Sequence, residues 1–191
     1  LPICGNVANG SPIGDSAPVL IALGAHIVLR QGAAVREMPL QDFYLDYMKN
    51  QLQSGEFVQA VRLPLPAAHD VLRVYKLSKR FDCDISSLAA GLWLQLDGGT
   101  VTDARFAFGG MAGIVKRAAG AEAAVRGQPW TEATAQAAMA ALATDYQPLS
   151  DLRASASYRQ RAARNLLWRL WLETRPDAPL PLQETSVWSA A

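Results

Sequence analysis

Eleven residues near the start of the chain, Gly5-Asn6-Val7-Ala8-Asn9-Gly10-Ser11-Pro12-Ile13-Gly14-Asp15, hold three glycines, two asparagines, a serine and an aspartate. Glycines let bare backbone approach a ligand, and an Asp15-Ser16 pair can cap a following helix. Two readings fit this composition. One is a surface turn that enters a helix; the other is a loop whose free N–H groups, backed by the positive end of the helix dipole, contact an anion or a cofactor. A carboxylate at Asp15 would compete with a phosphate there, so its better role is to accept hydrogen bonds from ligand hydroxyls. The loop has no element ahead of it to position it, and the sequence reads as the back part of something larger.

Other reactive side chains are sparse. Lys79-Arg80-Phe81-Asp82-Cys83-Asp84 is a charge-rich run that suits a solvated loop between two strands, and no histidine stands beside Cys83 to activate its thiol. His26 and His69 fall in or next to strand-like segments without a ligand at useful spacing, which fits structural roles. The two cysteines, Cys4 and Cys83, cannot supply the four ligands of an iron–sulfur cluster or a disulfide framework, and a reduced cytoplasmic compartment is the expectation. With 18 basic and 17 acidic residues, the net charge of +1 gives no reason to expect nucleic acid or an anionic membrane as partner. The longest apolar run, 17–25, is too short to span a bilayer and lacks the charged flank of a signal peptide.

The elements that must position these residues can be read from pattern. At 191 residues, half of them hydrophobic, the chain can build one sizeable core or two small ones. Residues 15–23 predict a short helix with Asp15 or Ser16 as N-cap, Pro18 in its first turn and Gly24 at its end. Segments 26–30 and 33–37 predict strands around a Gln31-Gly32 turn, whereas 39–48 carries Leu40, Phe43, Tyr44 and Tyr47 at helical spacing. Segments 56–63 and 71–77 predict strands separated by Pro64-Leu65-Pro66, and Pro64 marks the seam of the chain. Segments 88–96 and 101–108 flank Asp97-Gly98-Gly99-Thr100, a strong hairpin signal.

From residue 117 the pattern turns helical, over 118–125, over 131–146 with Thr131 as N-cap, and over 155–174. The last helix is expected to bury a face with Tyr158, Ala162, Leu166, Leu167, Leu170 and Trp171, leaving Arg159, Arg161, Arg164 and Arg169 largely elsewhere. Strands followed by helices, without βαβ alternation, indicate an α+β architecture.

Four segments in order resemble one family. The stretch from Gly5 to Ser16 is similar to the second FAD-binding motif of molybdenum hydroxylase flavoproteins, in the form typical of the bacterial xanthine dehydrogenase small subunit. Tyr75-Lys76-Leu77-Ser78-Lys79-Arg80-Phe81-Asp82-Cys83-Asp84-Ile85-Ser86 resembles the family's lysine-to-DIS segment. Phe106-Ala107-Phe108-Gly109-Gly110-Met111-Ala112 looks like its FGGMA strand, and Ser157-Tyr158-Arg159 with Asn165-Leu166-Leu167 looks like its closing helix.

The resemblance implies the C-terminal part of a PCMH/VAO-type FAD-binding domain over 1–66. A CO dehydrogenase flavoprotein C-terminal-like domain, a three-stranded antiparallel sheet plus helices, would follow over 67–175, and an extended tail over 176–191. It implies an oxidoreductase relay in which a purine is hydroxylated at molybdenum and electrons cross two [2Fe-2S] clusters to FAD and then to NAD. The molybdopterin and iron–sulfur centres would sit on other parts of an oligomeric complex, and the chain alone would be inactive.

On this resemblance Gly5 and Asn6 contact FAD through backbone and amide, with Asn9 and Ser11 in the same loop. Asp15 hydrogen-bonds the cofactor, and Lys76 lies near the isoalloxazine edge, where a cation stabilises negative charge on the reduced ring. Val58 matches an aliphatic position whose backbone borders the flavin, and reads equally as strand core. The 79–84 loop would lie where nicotinamide docks, with Asp82 and Asp84 setting the local field, Arg80 holding the loop and Phe81 anchoring it. No catalytic residue or metal ligand is assigned.

Two departures stand out. Cys4 occupies the first glycine of the family's Gly-Gly-Asn, and the first FAD motif would lie upstream of Leu1, leaving half of an FAD cradle here. Two alternatives remain open: a catalytically silent packing and assembly domain, or the flavoprotein of an aldehyde- or carbon monoxide-oxidising relative.

Overall fold

A short helix, α2 (Ser16–Ala22), buries Ala17, Leu20, Ile21 and Ala22 against the strands on either side of it, and both halves of the chain are built around that apolar face. The computed structural model describes residues 4–67, 69–80 and 84–185. Ahead of α2 lies a single helical turn, α1 (Cys4–Ala8). Behind it Gly24, at φ +73°, takes the left-handed conformation that ends the helix, and its N–H donates to Ile21 O at 2.9 Å.

The first sheet has the order β2-β1-β5, all antiparallel, with β1 (His26–Gln31) in the middle. β2 (Ala34–Pro39) returns from β1 through Gly32 at φ +58°, as the Gln31-Gly32 signal predicts, and β5 (Phe57–Arg62) pairs with the other edge. Ile27 and Leu29 of β1 are fully buried beneath α2. Between β2 and β5 the helical spacing over 39–48 is overruled. Only α3 (Leu40–Phe43) is helical, and β3 (Tyr44–Asp46) and β4 (Lys49–Asn50) form a hairpin with Met48 at φ +55°. Leu40 and Phe43 are buried while Tyr47 is 62% exposed, so one helical turn exhausts the apolar face available to it.

The second sheet runs β6-β7-β8-β9. β6 (Asp70–Leu77), β7 (Leu88–Asp97) and β8 (Thr100–Gly109) are the expected antiparallel strands, and Gly98 and Gly99, both at positive φ, make the tight β7–β8 turn. A two-residue strand, β9 (Lys116–Arg117), adds to the three expected. One face carries Leu92, Phe106 and Phe108 against α4 (Ala119–Val125), α5 (Glu132–Asp145) and α6 (Ala156–Thr174). Each large side chain removed from water in this layer contributes about 2 kcal/mol. Thr131 Oγ1 caps α5 by accepting the Thr134 N–H at 3.3 Å, and Ser155 Oγ caps α6 by accepting the Tyr158 N–H at 3.2 Å.

The other face of this sheet receives α2. A Cβ on Gly91 would lie 2.5 Å from Pro18 O and 2.7 Å from Val19 Cα, so the helix backbone rests directly on β7. Period-two alternation along β6 then sends Tyr75 into the helical layer and leaves Lys76 on the α2 side. Tyr75 is fixed there by Glu173 of α6, whose fully buried carboxylate accepts from the Tyr75 hydroxyl at 3.0 Å, Arg73 Nε at 2.7 Å and Arg169 Nε at 2.6 Å.

Two expectations for the C-terminal part are corrected. Arg159 is buried at 3% exposure and Tyr158 is 47% exposed, the reverse of the predicted α6 face, because Arg159 reaches under the sheet to backbone carbonyls. The segment after Pro176 is not simply extended. It folds back, with the Leu180 N–H donating to Leu172 O at 2.7 Å, and ends in a 3₁₀ turn, Leu182–Thr185. Residues 186–191 of the predicted tail lie outside the described residues.

Candidate functional site

The glycine-rich stretch is more wound than its composition suggests. Val7 is fully buried and draws the first residues into α1, with the Asn9 N–H donating to Gly5 O at 3.1 Å and the Gly10 N–H to Val7 O at 3.2 Å. Gly10, at φ +62°, turns the chain out of the helix against the Tyr44 ring, where a Cβ would meet Cδ1 at 3.2 Å. Ser11 organises the next turn, its Oγ accepting from Ile13 N at 3.4 Å and its carbonyl from Gly14 N at 3.0 Å. Gly5 and Asn6 stay exposed on the outer side, and a Cβ at Gly5 would touch nothing within 4 Å.

Two residues that were not among the candidate site residues hold this turn. Tyr44 OH donates to Val7 O at 2.9 Å, beside the Gly10 N–H, and Asn50 Nδ2 donates to Ala8 O at 3.0 Å, so the β3–β4 hairpin ties down the last carbonyls of α1. Burial pushes the Tyr44 hydroxyl well above the ordinary tyrosine range, which keeps it a donor. A tyrosine and an asparagine flanking a hairpin carried no signal of this role, since their partners lie 37 and 42 residues away.

Asp15 occupies the N-cap position of α2 without making a side-chain cap, a departure from the predicted capping role. Its carboxylate turns instead to the second sheet. Lys76 Nζ donates to Oδ2 at 2.5 Å, and Ser86 Oγ donates to Oδ1. Ser16 Oγ donates to Asn6 Oδ1, linking the first turn to the same cluster. Asn6, Asp15, Ser16, Lys76 and Ser86 thus converge from α1, the start of α2, β6 and the segment before β7. Lys76 and Asp15 are 43% and 50% exposed, so this side of the group faces solvent and can exchange its bonds for those of a ligand, while Ser86 holds Asp15 from the buried side.

The remaining candidates are spread more widely. Val58 is half-buried in β5, beside α1, and contributes to the core around α2. Asn9 is exposed, and Ser11 lines a separate cleft of ≈ 230 Å³ bounded by Pro12, Ile13, Gly110 and the 147–153 loop. In the charged run, Arg80 Nη2 pairs with Asp84 Oδ1 at 3.0 Å, and that guanidinium together with the Arg80 N–H lowers the Asp84 carboxyl to about 2. Asp84 is therefore neutralised locally by Arg80. Lys79 Nζ donates to Leu152 O at 2.6 Å, and Phe81, Asp82 and Cys83 lie outside the described residues.

Arg159 joins two of the motif segments. Its Nη1 donates to Ser87 O and, at 2.8 Å, to Gly110 O, and its Nη2 donates to Asp151 Oδ1 at 2.8 Å. Gly110 N donates in turn to Pro12 O at 2.7 Å, so the Gly109-Gly110 strand end is stitched to the glycine-rich turn. Burial acts to raise the Asp151 carboxyl, but the Ala154 and Arg153 N–H groups and the Arg159 guanidinium outweigh it and hold it below the usual range. Among the described residues no group of three or more His, Cys, Asp and Glu side chains could hold a metal, and no helix is long and apolar enough to cross a membrane.

Comparison with known proteins divides the chain along its two sheets. Residues 2–66 match the family model described as FAD binding domain in molybdopterin dehydrogenase, and residues 73–174 match that of the CO dehydrogenase flavoprotein C-terminal domain. A nicotinate hydroxylase of Emericella nidulans is 31% identical over 176 residues, covering 88% of this chain and 13% of the relative. A xanthine dehydrogenase of the same organism is 33% identical over 171 residues, covering 87% of this chain and 12% of the relative. Among solved structures, a carbon monoxide dehydrogenase of Hydrogenophaga pseudoflava superposes with a TM-score of 0.81 at 32% identity, covering 86% of this chain and 57% of that one.

Proposed function

This chain belongs to the CO dehydrogenase flavoprotein C-terminal domain family, with an FAD-binding segment ahead of it, and from that membership we propose that it forms part of the FAD site of a molybdenum hydroxylase. The observation that carries the proposal is the convergence of Asp15, Lys76 and Ser86 from both matched segments onto one cluster, half-exposed at Asp15 and Lys76, with the exposed Asn6 tied to it through Ser16. Their chemistry fits FAD. Asp15 offers an acceptor to ribityl hydroxyls, Lys76 a cation to the ring edge, and Gly5 an open approach to bare backbone.

In this reading Asn6 and Asn9 would hold the cofactor at the α1 end, with Ser11 fixing the turn that carries Asp15. The β5 backbone at Val58 borders it, and the packing of α2 on β7, the strand paired with β6, fixes the Asp15-to-Lys76 spacing. FAD, when bound, supplies the exchange between one-electron donors and a hydride acceptor. The Lys76 ammonium favours the anionic form of the reduced ring through its charge. We assign the electron source to iron–sulfur domains beside a molybdenum subunit, with NAD as acceptor and a purine as substrate. The Ser11-Pro12-Ile13-Gly14-Asp15-Ser16 wording of the turn supports the purine assignment over aldehyde or carbon monoxide.

Titrating FAD into the purified protein tests the proposal. Saturable quenching of flavin fluorescence is expected, and weaker uptake by an Asp15→Ala/Lys76→Ala double variant; no uptake by the wild type would overturn it.

A second reading rests on Leu149 and Leu152, which are 81% and 79% exposed in one loop, tied to the second sheet's edge by Lys79 Nζ donating to Leu152 O. It makes residues 67–175 an assembly domain whose loop docks the other subunits. Leu149→Ser/Leu152→Ser would then abolish assembly with the molybdenum subunit while leaving FAD uptake intact.

A further inference from the structure

We propose that the cleft between the 11–13 turn and the 147–153 loop binds a small organic monocarboxylate, at a site separate from the Asp15–Lys76 cluster. Its volume, ≈ 230 Å³, is below the range of about 300–1,000 Å³ typical of pockets for drug-sized ligands, so its occupant is small. Arg153, Arg159 and Asp151 are the ionised groups on its walls, which leaves a surplus of one positive charge.

The two arginines differ in what they can offer. Arg159 is buried at 3% exposure and its Nη1 and Nη2 are committed to Ser87 O, Gly110 O and Asp151, so it gives the cleft a fixed positive charge. Arg153 stands 3.8 Å from Asp151, too far for a hydrogen bond, and its guanidinium makes none among the described residues. Such a fork is free to take a carboxylate with two parallel bonds.

Beside Ser11, Tyr47 and Gln147, the rest of the cleft is apolar. Pro12, Ile13, Ala112 and Leu149 line it, and Leu149 is 81% exposed at the rim, where a bound apolar body would cover it. One surplus charge beneath apolar walls selects a monoanion with an aromatic or aliphatic body over inorganic phosphate.

Benzoate titration followed through the Gly110 and Gly113 amide resonances tests the site, with benzamide as the neutral isostere and inorganic phosphate as the alternative anion. Saturable shifts with benzoate are expected, with benzamide and phosphate at least tenfold weaker. Arg153→Gln, a partly exposed substitution that leaves the fold in place, is expected to weaken benzoate about tenfold, the scale of one charge-assisted hydrogen bond. Asp15→Asn is expected to leave benzoate affinity unchanged, which separates this site from the FAD cluster. Absence of saturable shifts, equal binding of benzamide, tighter binding of phosphate, or indifference to Arg153→Gln would each overturn the assignment.

Discussion

Lys76 donates to Asp15 across 61 residues of chain at 2.5 Å, joining the start of α2 to the outward face of β6. Both side chains are about half exposed, so the pair itself contributes roughly 0–1 kcal/mol to stability. Its weight lies in binding. Lys76→Met and Asp15→Asn are each expected to lower FAD affinity about tenfold while shifting the thermal midpoint by no more than a few degrees, read by flavin quenching and calorimetry on the same samples. A variant that unfolds early but binds FAD normally when folded would contradict this.

Gly91 is expected to tolerate no side chain. In Gly91→Ala the new Cβ would meet Pro18 O and Val19 Cα, backbone atoms of α2 that cannot rotate aside. Overpacking of this kind costs roughly 1–3 kcal/mol. Because Asp15 directly precedes the displaced helix, urea unfolding and FAD affinity should both report the change.

Arg159→Met removes a buried cation that serves Ser87 O, Gly110 O and Asp151 together. A loss of about 3 kcal/mol is expected from denaturant unfolding, since it orphans buried acceptors and an ion-pair partner. Arg159→Lys keeps the charge but not the planar fork, so it should recover only part of that loss. Full recovery by lysine would show that charge alone matters.

Acid sensitivity is expected at the pair between Arg36 and Glu56. Hydrogen bonds from the Arg36 guanidinium, at 2.7 Å to each oxygen, and from the Gln53 N–H hold the Glu56 carboxyl at about 2. Because the folded value lies below the unfolded one, the pair's stabilisation is complete above the ordinary glutamate range and is lost as pH falls through about 2. Carboxyl NMR should give a Glu56 midpoint near 2 that Arg36→Met raises toward the ordinary value, and the stability gap between the two proteins should close in acid.

Local signals in the sequence translated well where the physics was local. Gly98-Gly99 turned the β7–β8 hairpin, Thr131 capped its helix, and Gly32 and Gly24 supplied the left-handed residues their positions needed. The 39–48 segment failed because its apolar spacing served a helical turn and then a hairpin, and only the surrounding sheet decides where one yields to the other. Arg159 was misplaced because amphipathic reasoning puts arginine in water, whereas three acceptors contributed by distant segments bring it inside. Asp15 and Lys76 could be singled out by resemblance, but their contact, and the part of Ser86 in it, depend on α2 lying across β7, which no short stretch of sequence encodes.

That crossing has a further consequence. Trp93 and Ala107 on the second sheet share an apolar cluster with Ile21, Ile27 and Leu29 from the first part of the chain. Neither part can leave the other without exposing that cluster to water. The two should therefore melt as one cooperative unit, and a protease cut in the exposed 63–67 stretch should leave two pieces that stay together until the whole assembly denatures.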